Sequence, residues 1–244
     1  MRLDTYQFSN AGGRSYNEDA AYRRTLPDGG VFVVADGLGG TQHGEQAAAC
    51  VVAQFAEADP PPQTDAAGWL KTQLEAAQAR IIALQEKTHA NMKSTAVALL
   101  IQGSAASWAH VGDSRLYYFR DRELARFTED HSVAYKKYKA GQITRAQIAQ
   151  DEDQSALLRA LGNPERHQAD FYTAELPLSP GDAFLLCSDG VWEYLPDGEI
   201  LVDLLKANTA KEWAMLLLVR VLSRIEAGND NLSLLTVMVK EGDE

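Results

Sequence analysis

The sequence predicts an α+β fold in which helices pack on antiparallel sheets. Three observations carry that reading. Residues 95–128 hold four short apolar or alternating segments broken by Gly, Asp and Ser, the pattern of strands joined by tight turns. Helical stretches come in pairs before and after that meander. Strands do not alternate regularly with helices, which disfavours a parallel doubly wound sheet.

Taken in order, RSYNEDA (14–20) leads into an early strand-like segment and VFVVADG (31–37) reads as an interior strand. GEQAAACVVAQFAEA (44–58) is built of good helix formers. ADPPPQTDAAG (58–68) cannot continue that helix, because three successive prolines remove backbone donors, so it is a connector. Beyond it, Leu70, Leu74, Ala77, Ile81 and Leu84 recur at steps of four and three, one face of a long amphipathic helix. TAVALLIQ, ASWAHV, RLYYFRD and ELARFTE form the meander. Residues 131–161 turn polar and helical, and DFYTAELPLSPGDAFLLCSDG (170–190) reads as two further strands. DGEILVDLLKAN and KEWAMLLLVRVLSRIEAG are helices, and NLSLLTVMVK is a closing strand.

The 244 residues carry 23 Lys and Arg against 34 Asp and Glu, a formal charge of −11. No basic stripe stands out, which speaks against nucleic-acid binding and against a nuclease. No run of about 18 apolar residues exists, so no membrane span is expected. MRLDTYQFSN lacks the apolar core of a signal peptide, so a cytoplasmic location is expected. Cys50 and Cys187 form no CxxC pair and read as buried, reduced thiols. Neither is followed by Arg at Cys-x5-Arg spacing, which removes a cysteine-phosphatase reading.

The acids are more informative than their number. VFVVADG ends on Asp36, WAHVGDS on Asp113 and AFLLCSDG on Asp189. Asp230 immediately precedes the closing strand, and Glu18 and Asp19 precede the early one. Any single Asp-Gly is first a turn. Several carboxylates at strand ends that converge on one sheet edge would resist ionisation, and a divalent cation removes that conflict. An all-oxygen set without a His/Cys cluster suits Mg2+ or Mn2+.

At this point seven segments are together specific. RSYNEDA, VVADGLGG, AHVGDSRLY, TEDHS, LLRALG, LLCSDGVWEYL and NDNLSLLTV occur in the order seen in metal-dependent protein phosphatases, the phosphatase-2C-like type. The resemblance runs from about Gly12 to Val239. It implies a single domain over 1–244 with a four-layer αββα sandwich, two central antiparallel sheets between helical layers, and a flap at about 131–161. It implies two ions, Mn2+ or Mg2+, with a third in many bacterial members, and hydrolysis of phosphoserine and phosphothreonine in proteins. Asp36 would bridge the two ions and Gly37 would lend one its carbonyl oxygen. Asp189 and Asp230 would hold the first ion, and Glu18 and Asp19 match the acidic pair near the second, where contacts are often through water. Asp113 would serve the third with Asp189, and Arg14 would grip the substrate phosphate. Water shared by two such ions is acidified from about 15.7 towards about 7 and attacks phosphorus in line. The resemblance to compact bacterial members also implies phosphorylated protein substrates, a cognate serine/threonine kinase and a monomer, with no nucleic-acid or membrane partner.

Leu38 stands where some members carry a histidine after Asp-Gly, so the general acid has no assigned residue. His43 reads as a polar loop residue, His110 as a strand residue bonded locally, and His131 as structural. Trp192 and Tyr194 are expected in the core. Two readings stay open: an active phosphatase that keeps every acid, and a catalytically weak phosphoprotein-binding module on the same fold.

Overall fold

The computed structural model describes residues 1–39, 43–60, 65–174 and 177–242. Among the described residues eleven strands form two sheets, and every pairing between them is antiparallel. The first sheet runs β1 (Arg2–Asn10), β11 (Leu232–Lys240), β10 (Ala183–Cys187), β7 (Arg115–Arg120), β8 (Glu123–Phe127). The second runs β2 (Asp19–Leu26), β3 (Gly29–Leu38), β5 (Ala96–Gln102), β6 (Ala105–Val111), β9 (Asp170–Thr173), with β4 (Lys93–Ser94) paired to the end of β3.

Alternation along each strand makes the layers. In β3, Phe32 and Val34 point between the sheets, where they meet Leu116, Phe184, Leu186 and Leu235 of the first sheet. Val31, Val33 and Ala35 point the other way, against α1 (Gly44–Glu57) and α2 (Ala66–Thr88). On β10, Phe184 and Leu186 face the other sheet, while Ala183, Leu185 and Cys187 face α5 (Asp197–Lys206) and α6 (Ala210–Leu222). The result is the expected helix–sheet–sheet–helix order.

The periodic face read on α2 is the one that packs: Leu70, Leu74, Ala77 and Ile81 are buried and Leu84 lies against them. Asp65 caps this helix by accepting the Gly68 amide at 3.0 Å. The connector before it lies partly outside the described residues. Trp192 is buried and Tyr194 packs at the edge of the same core. Cys187 is buried and free as expected, but Cys50 is only half-buried, on the flank of α1. Residues 131–161 carry α3 (Val133–Lys139) and a 3-10 turn at Arg145–Gln150. The segment returns to the second sheet through the Ser94–Leu161 bridge. A short α4 (Asp189–Trp192) follows β10 directly.

Candidate metal centre and active-site cavity

The acids arrive from both sheets. Asp19 opens β2 and lies directly opposite Asp36 on β3. Asp189 follows β10, and Asp230 precedes β11, both on the other sheet. Asp113 sits in the turn that carries the chain from β6 of one sheet to β7 of the other. Gly112 makes that turn at φ +97°, where a side chain would be strained and would also meet Thr95. The site therefore straddles the seam between the sheets.

Uncharged residues hold it there. The Asp36 amide donates to Thr95 Oγ1 at 2.9 Å, and the Asp36 carbonyl accepts from the Thr95 amide at 2.8 Å and from Ser94 Oγ at 3.0 Å. Ser188 Oγ donates to Asp19 Oδ2 at 2.7 Å across the seam. Asn231 fastens the loop bearing Arg14 and Glu18: its Oδ1 accepts the Glu18 amide at 2.7 Å, and its Nδ2 donates to the Ala11 and Tyr16 carbonyls at 2.9 and 2.8 Å. The sequence drew no attention to Thr95, Ser188 or Asn231, although Asn231 adjoins Asp230 and Ser188 adjoins Asp189.

The electrostatics follow from crowding. Burial pushes the Asp36 and Asp113 carboxyls well above their ordinary range, and Asp189 raises both further. Burial first, then the charges of Asp189 and Asp230, lift Asp19 to about 7 against the Ser188 and Ser233 hydroxyls. Asp189 rises to about 6 through burial and Asp230, held back in part by hydrogen bonds from the Gly190 amide and with the Asp36 carboxyl. Glu18 is raised by burial, opposed by its bond from the Gly44 amide. Asp36 thus faces Asp189, Asp19, Asp113 and Asp230 at once, the centre of the constellation. Glu193, which the sequence reading passed over, is lifted to about 8 by burial and by Asp189 and Asp230.

Two of these acids find partners within the polypeptide. Arg14 Nη2 reaches Asp230 Oδ2 at 3.0 Å, and Glu18 Oε1 accepts from the Gly44 amide at 3.2 Å. Among the described residues no three or more His, Cys, Asp or Glu side chains stand in an arrangement that could hold an ion as they are placed. The donor chemistry nevertheless fits a hard divalent cation. Carboxylates that suppress one another's ionisation are relieved by such an ion, and carboxylate and carbonyl oxygens are what Mg2+ and Mn2+ take. Backbone oxygen is at hand: a methyl group on Gly44 would lie 2.6 Å from the Gly37 carbonyl oxygen and 2.6 Å from Glu18 Oε1. Both oxygens therefore crowd one side of Gly44, and Gly37 itself admits no side chain there.

A cavity of about 520 Å³ opens over this edge. Asp36, Asp189, Asp230, Glu18, Gly37 and Arg14 line it, together with Ser155, Leu157, Leu158, Arg159 and Ala160. Asp19 and Asp113 lie buried behind it.

His110 is fully buried, bonded through Nε2 to the Glu129 carbonyl at 2.7 Å and stacked on His131 at 4.5 Å. Burial holds it down to about 3, so it stays neutral. His131 Nδ1 accepts the Gly112 amide at 3.2 Å, and its Nε2 meets Asp170 Oδ2 at 3.1 Å, a structural position as expected. His43 precedes α1 and contacts Gln46 Nε2 through Nδ1 at 3.2 Å.

Comparison with known proteins agrees with this geometry. The family described as protein phosphatase 2C matches residues 9–216. The chain is 29% identical over 240 residues to the serine/threonine phosphatase stp of Listeria monocytogenes, covering 92% of this chain and 90% of that one. It superposes on the crystal structure of the Mycobacterium tuberculosis serine/threonine phosphatase PstP/Ppp with a TM-score of 0.85 at 30% identity, covering 98% and 99% of the two chains. A structure of the PstP catalytic domain in complex with 2 manganese ions gives 0.84 at 30% identity, covering 98% and 99%. With the match to the family spanning most of the chain and the carboxylate edge in place, this protein belongs to the protein phosphatase 2C family.

Proposed function

We propose that this metal-dependent serine/threonine phosphatase holds its Mn2+ or Mg2+ with Asp36, Gly37, Asp189 and Asp230 as principal ligands. Glu18 and Asp19 belong to the second ion, and Asp113 with Asp189 to an outer third. The observation that carries this reading is the position of Asp36, repelled by four other aspartates from two sheets. The ions, when bound, acidify a water and offset the charge on the phosphoryl oxygens. The catalytically weak binding-module alternative has no support, since no acid of the set is lost.

Arg14 is half-exposed at the cavity wall and spends one N–H on Asp230, leaving further guanidinium donors for phosphate oxygens. It orients the substrate and Asp230 together. Ser188, Thr95 and Asn231 keep the carboxylates and the Arg14 loop in register. Residues 131–161 form the flap, anchored where the Leu158 amide donates to the His131 carbonyl at 2.7 Å. Phosphorylated proteins are the substrates and a serine/threonine kinase supplies them. Among the described residues no helix is long and apolar enough to cross a membrane, and we place the protein in the cytoplasm as a monomer.

Steady-state kinetics of Mn2+-loaded protein on phosphoserine and phosphothreonine peptides test this assignment. Arg14→Ala is expected to raise KM more than it lowers kcat, because a clamp on ground state and transition state alike is uniform binding. Loss of a charge-assisted contact costs about 1.5–3 kcal/mol, or roughly 10- to 150-fold in kcat/KM. Arg14→Lys should restore only part, since a point charge lacks the planar fork. Wild-type kcat/KM in Arg14→Ala would remove Arg14 from the site.

A further inference from the structure

Three cationic side chains line the cavity: Arg14, Lys93 and Arg159. Two are committed within the protein. Arg14 pairs with Asp230 at 3.0 Å, and Arg159 Nη1 pairs with Asp170 Oδ1 at 2.9 Å. Lys93 is different. Among the described residues its ammonium makes no ion pair and no hydrogen bond, in a chain whose acids exceed its bases by 11.

Its place is fixed by backbone. Lys93 on β4 pairs with Leu38 on β3, two residues beyond Asp36. The next residue, Ser94, is fully buried, bonds the Asp36 carbonyl through Oγ, and exchanges amide bonds with Leu161 at 3.0 and 2.8 Å. Adjacent strand residues project to opposite faces. Ser94 therefore points in, and half-buried Lys93 lines the cavity between the metal edge and residues 157–160.

Two residues of strand span about 6.6 Å. That is the spacing between a phosphorylated residue held at the acids and the side chain one or two places along an extended substrate. With the carboxylates engaged by ions and Arg14 paired to Asp230, Lys93 is the unpaired cation on this wall that an anionic neighbour of the phosphorylated residue can meet.

Resting on the phosphatase reading, we propose that Lys93 selects substrates that carry an anionic group, a carboxylate or a second phosphate, within two residues of the phosphorylated serine or threonine. Lys93 is already half-buried, so the contact costs less side-chain freedom than it would for a fully exposed lysine. It remains open to solvent and is screened by salt.

The test is kcat/KM of the Mn2+-loaded protein on a matched set of phosphothreonine peptides whose neighbours are neutral, Asp, Lys or a second phosphoserine. Wild type is expected to favour the anionic peptides over the neutral one by about three- to tenfold at low salt, with the gap narrowing as salt rises. Lys93→Met, which keeps the stem, should abolish the preference, and Lys93→Glu should turn it towards the Lys-flanked peptide. A preference for both anionic peptides identifies general charge recognition, and one confined to the second phosphate identifies multiply phosphorylated segments; either supports the role. A preference that survives in Lys93→Met, or wild-type turnover with no preference, overturns it. Absence of Mn2+-dependent hydrolysis of p-nitrophenyl phosphate by wild type would instead overturn the phosphatase reading, and this proposal with it.

Discussion

Stripped of divalent cations by a chelator, the purified protein will not hydrolyse p-nitrophenyl phosphate, and Mn2+ will restore turnover. Each tenfold in rate is about 1.4 kcal/mol of barrier, and metal-ion stabilisation of a phosphoryl transition state amounts to several kcal/mol, so the loss should exceed about a thousandfold. The same chelated protein should answer to pH. Asp19, Asp36, Asp113 and Asp189 all have folded-state values raised above their ordinary range, chiefly by burial. A raised acid binds more protons folded than unfolded, so stability falls as pH climbs from the ordinary carboxylate range through the folded values. With Asp189 at about 6 and Asp19 at about 7, Tm in chelator should drop between about pH 4 and pH 7, and Mn2+ should remove most of that drop. Full activity in excess chelator, or rescue by Zn2+ alone, would rule out the oxygen-ligand centre.

Asp36→Ala should abolish turnover, whereas Asp113→Ala should keep two tight Mn2+ sites. The contrast comes from where the two acids stand. Asp36 faces Asp189, Asp19, Asp113 and Asp230, so its removal takes the shared oxygen donor from the whole set. Asp113 is raised first by burial, then by the charges of Asp189 and Asp130, with Arg115 opposing. It lies behind the cavity and not on its floor. Asp36→Asn, nearly isosteric, separates lost ligation from lost packing: it should remain folded in thermal unfolding and still show a loss of about a thousandfold or more. Calorimetric titration with Mn2+ reads the sites directly. Loss of all Mn2+ binding in Asp113→Ala would contradict its outer position.

Much of this fold was legible because burial writes a period into the sequence. Val31, Val33 and Ala35 against Phe32 and Val34 shows why an unbroken apolar run can be a strand: both faces are covered, one by helices and one by a sheet. The acids were legible because each closes such a run or adjoins one. β1 was not. Its residues, RLDTYQFSN, are mostly half-exposed, and only pairing with β11 makes them a strand. β4 has two residues, too few for any period. Thr95, Ser188 and Asn231 escaped because their work is done by hydrogen bonds to backbone and carboxylate across large sequence distances, which residue type alone does not announce. Glu193 escaped because burial between α4 and the 131–161 segment, where Gln154 bonds it, sets its proton affinity.

The position of β11 has a consequence for how the enzyme comes into being. This strand lies inside the first sheet, between β1 and β10, with Asn10 opposite Leu232 and Arg2 opposite Lys240. Asp230 and Asn231 arrive with it. On a ribosome adding about 5–20 residues per second, the helices α1 and α2 and the second sheet from β2 to β6 emerge early and can begin to pack, yet β1 has no strand to pair with until β11 has appeared. Pairing over such a distance is slow in its own right. The nascent chain therefore carries Asp19, Asp36, Asp113 and Asp189 before it has the strand that brings Asp230 beside them.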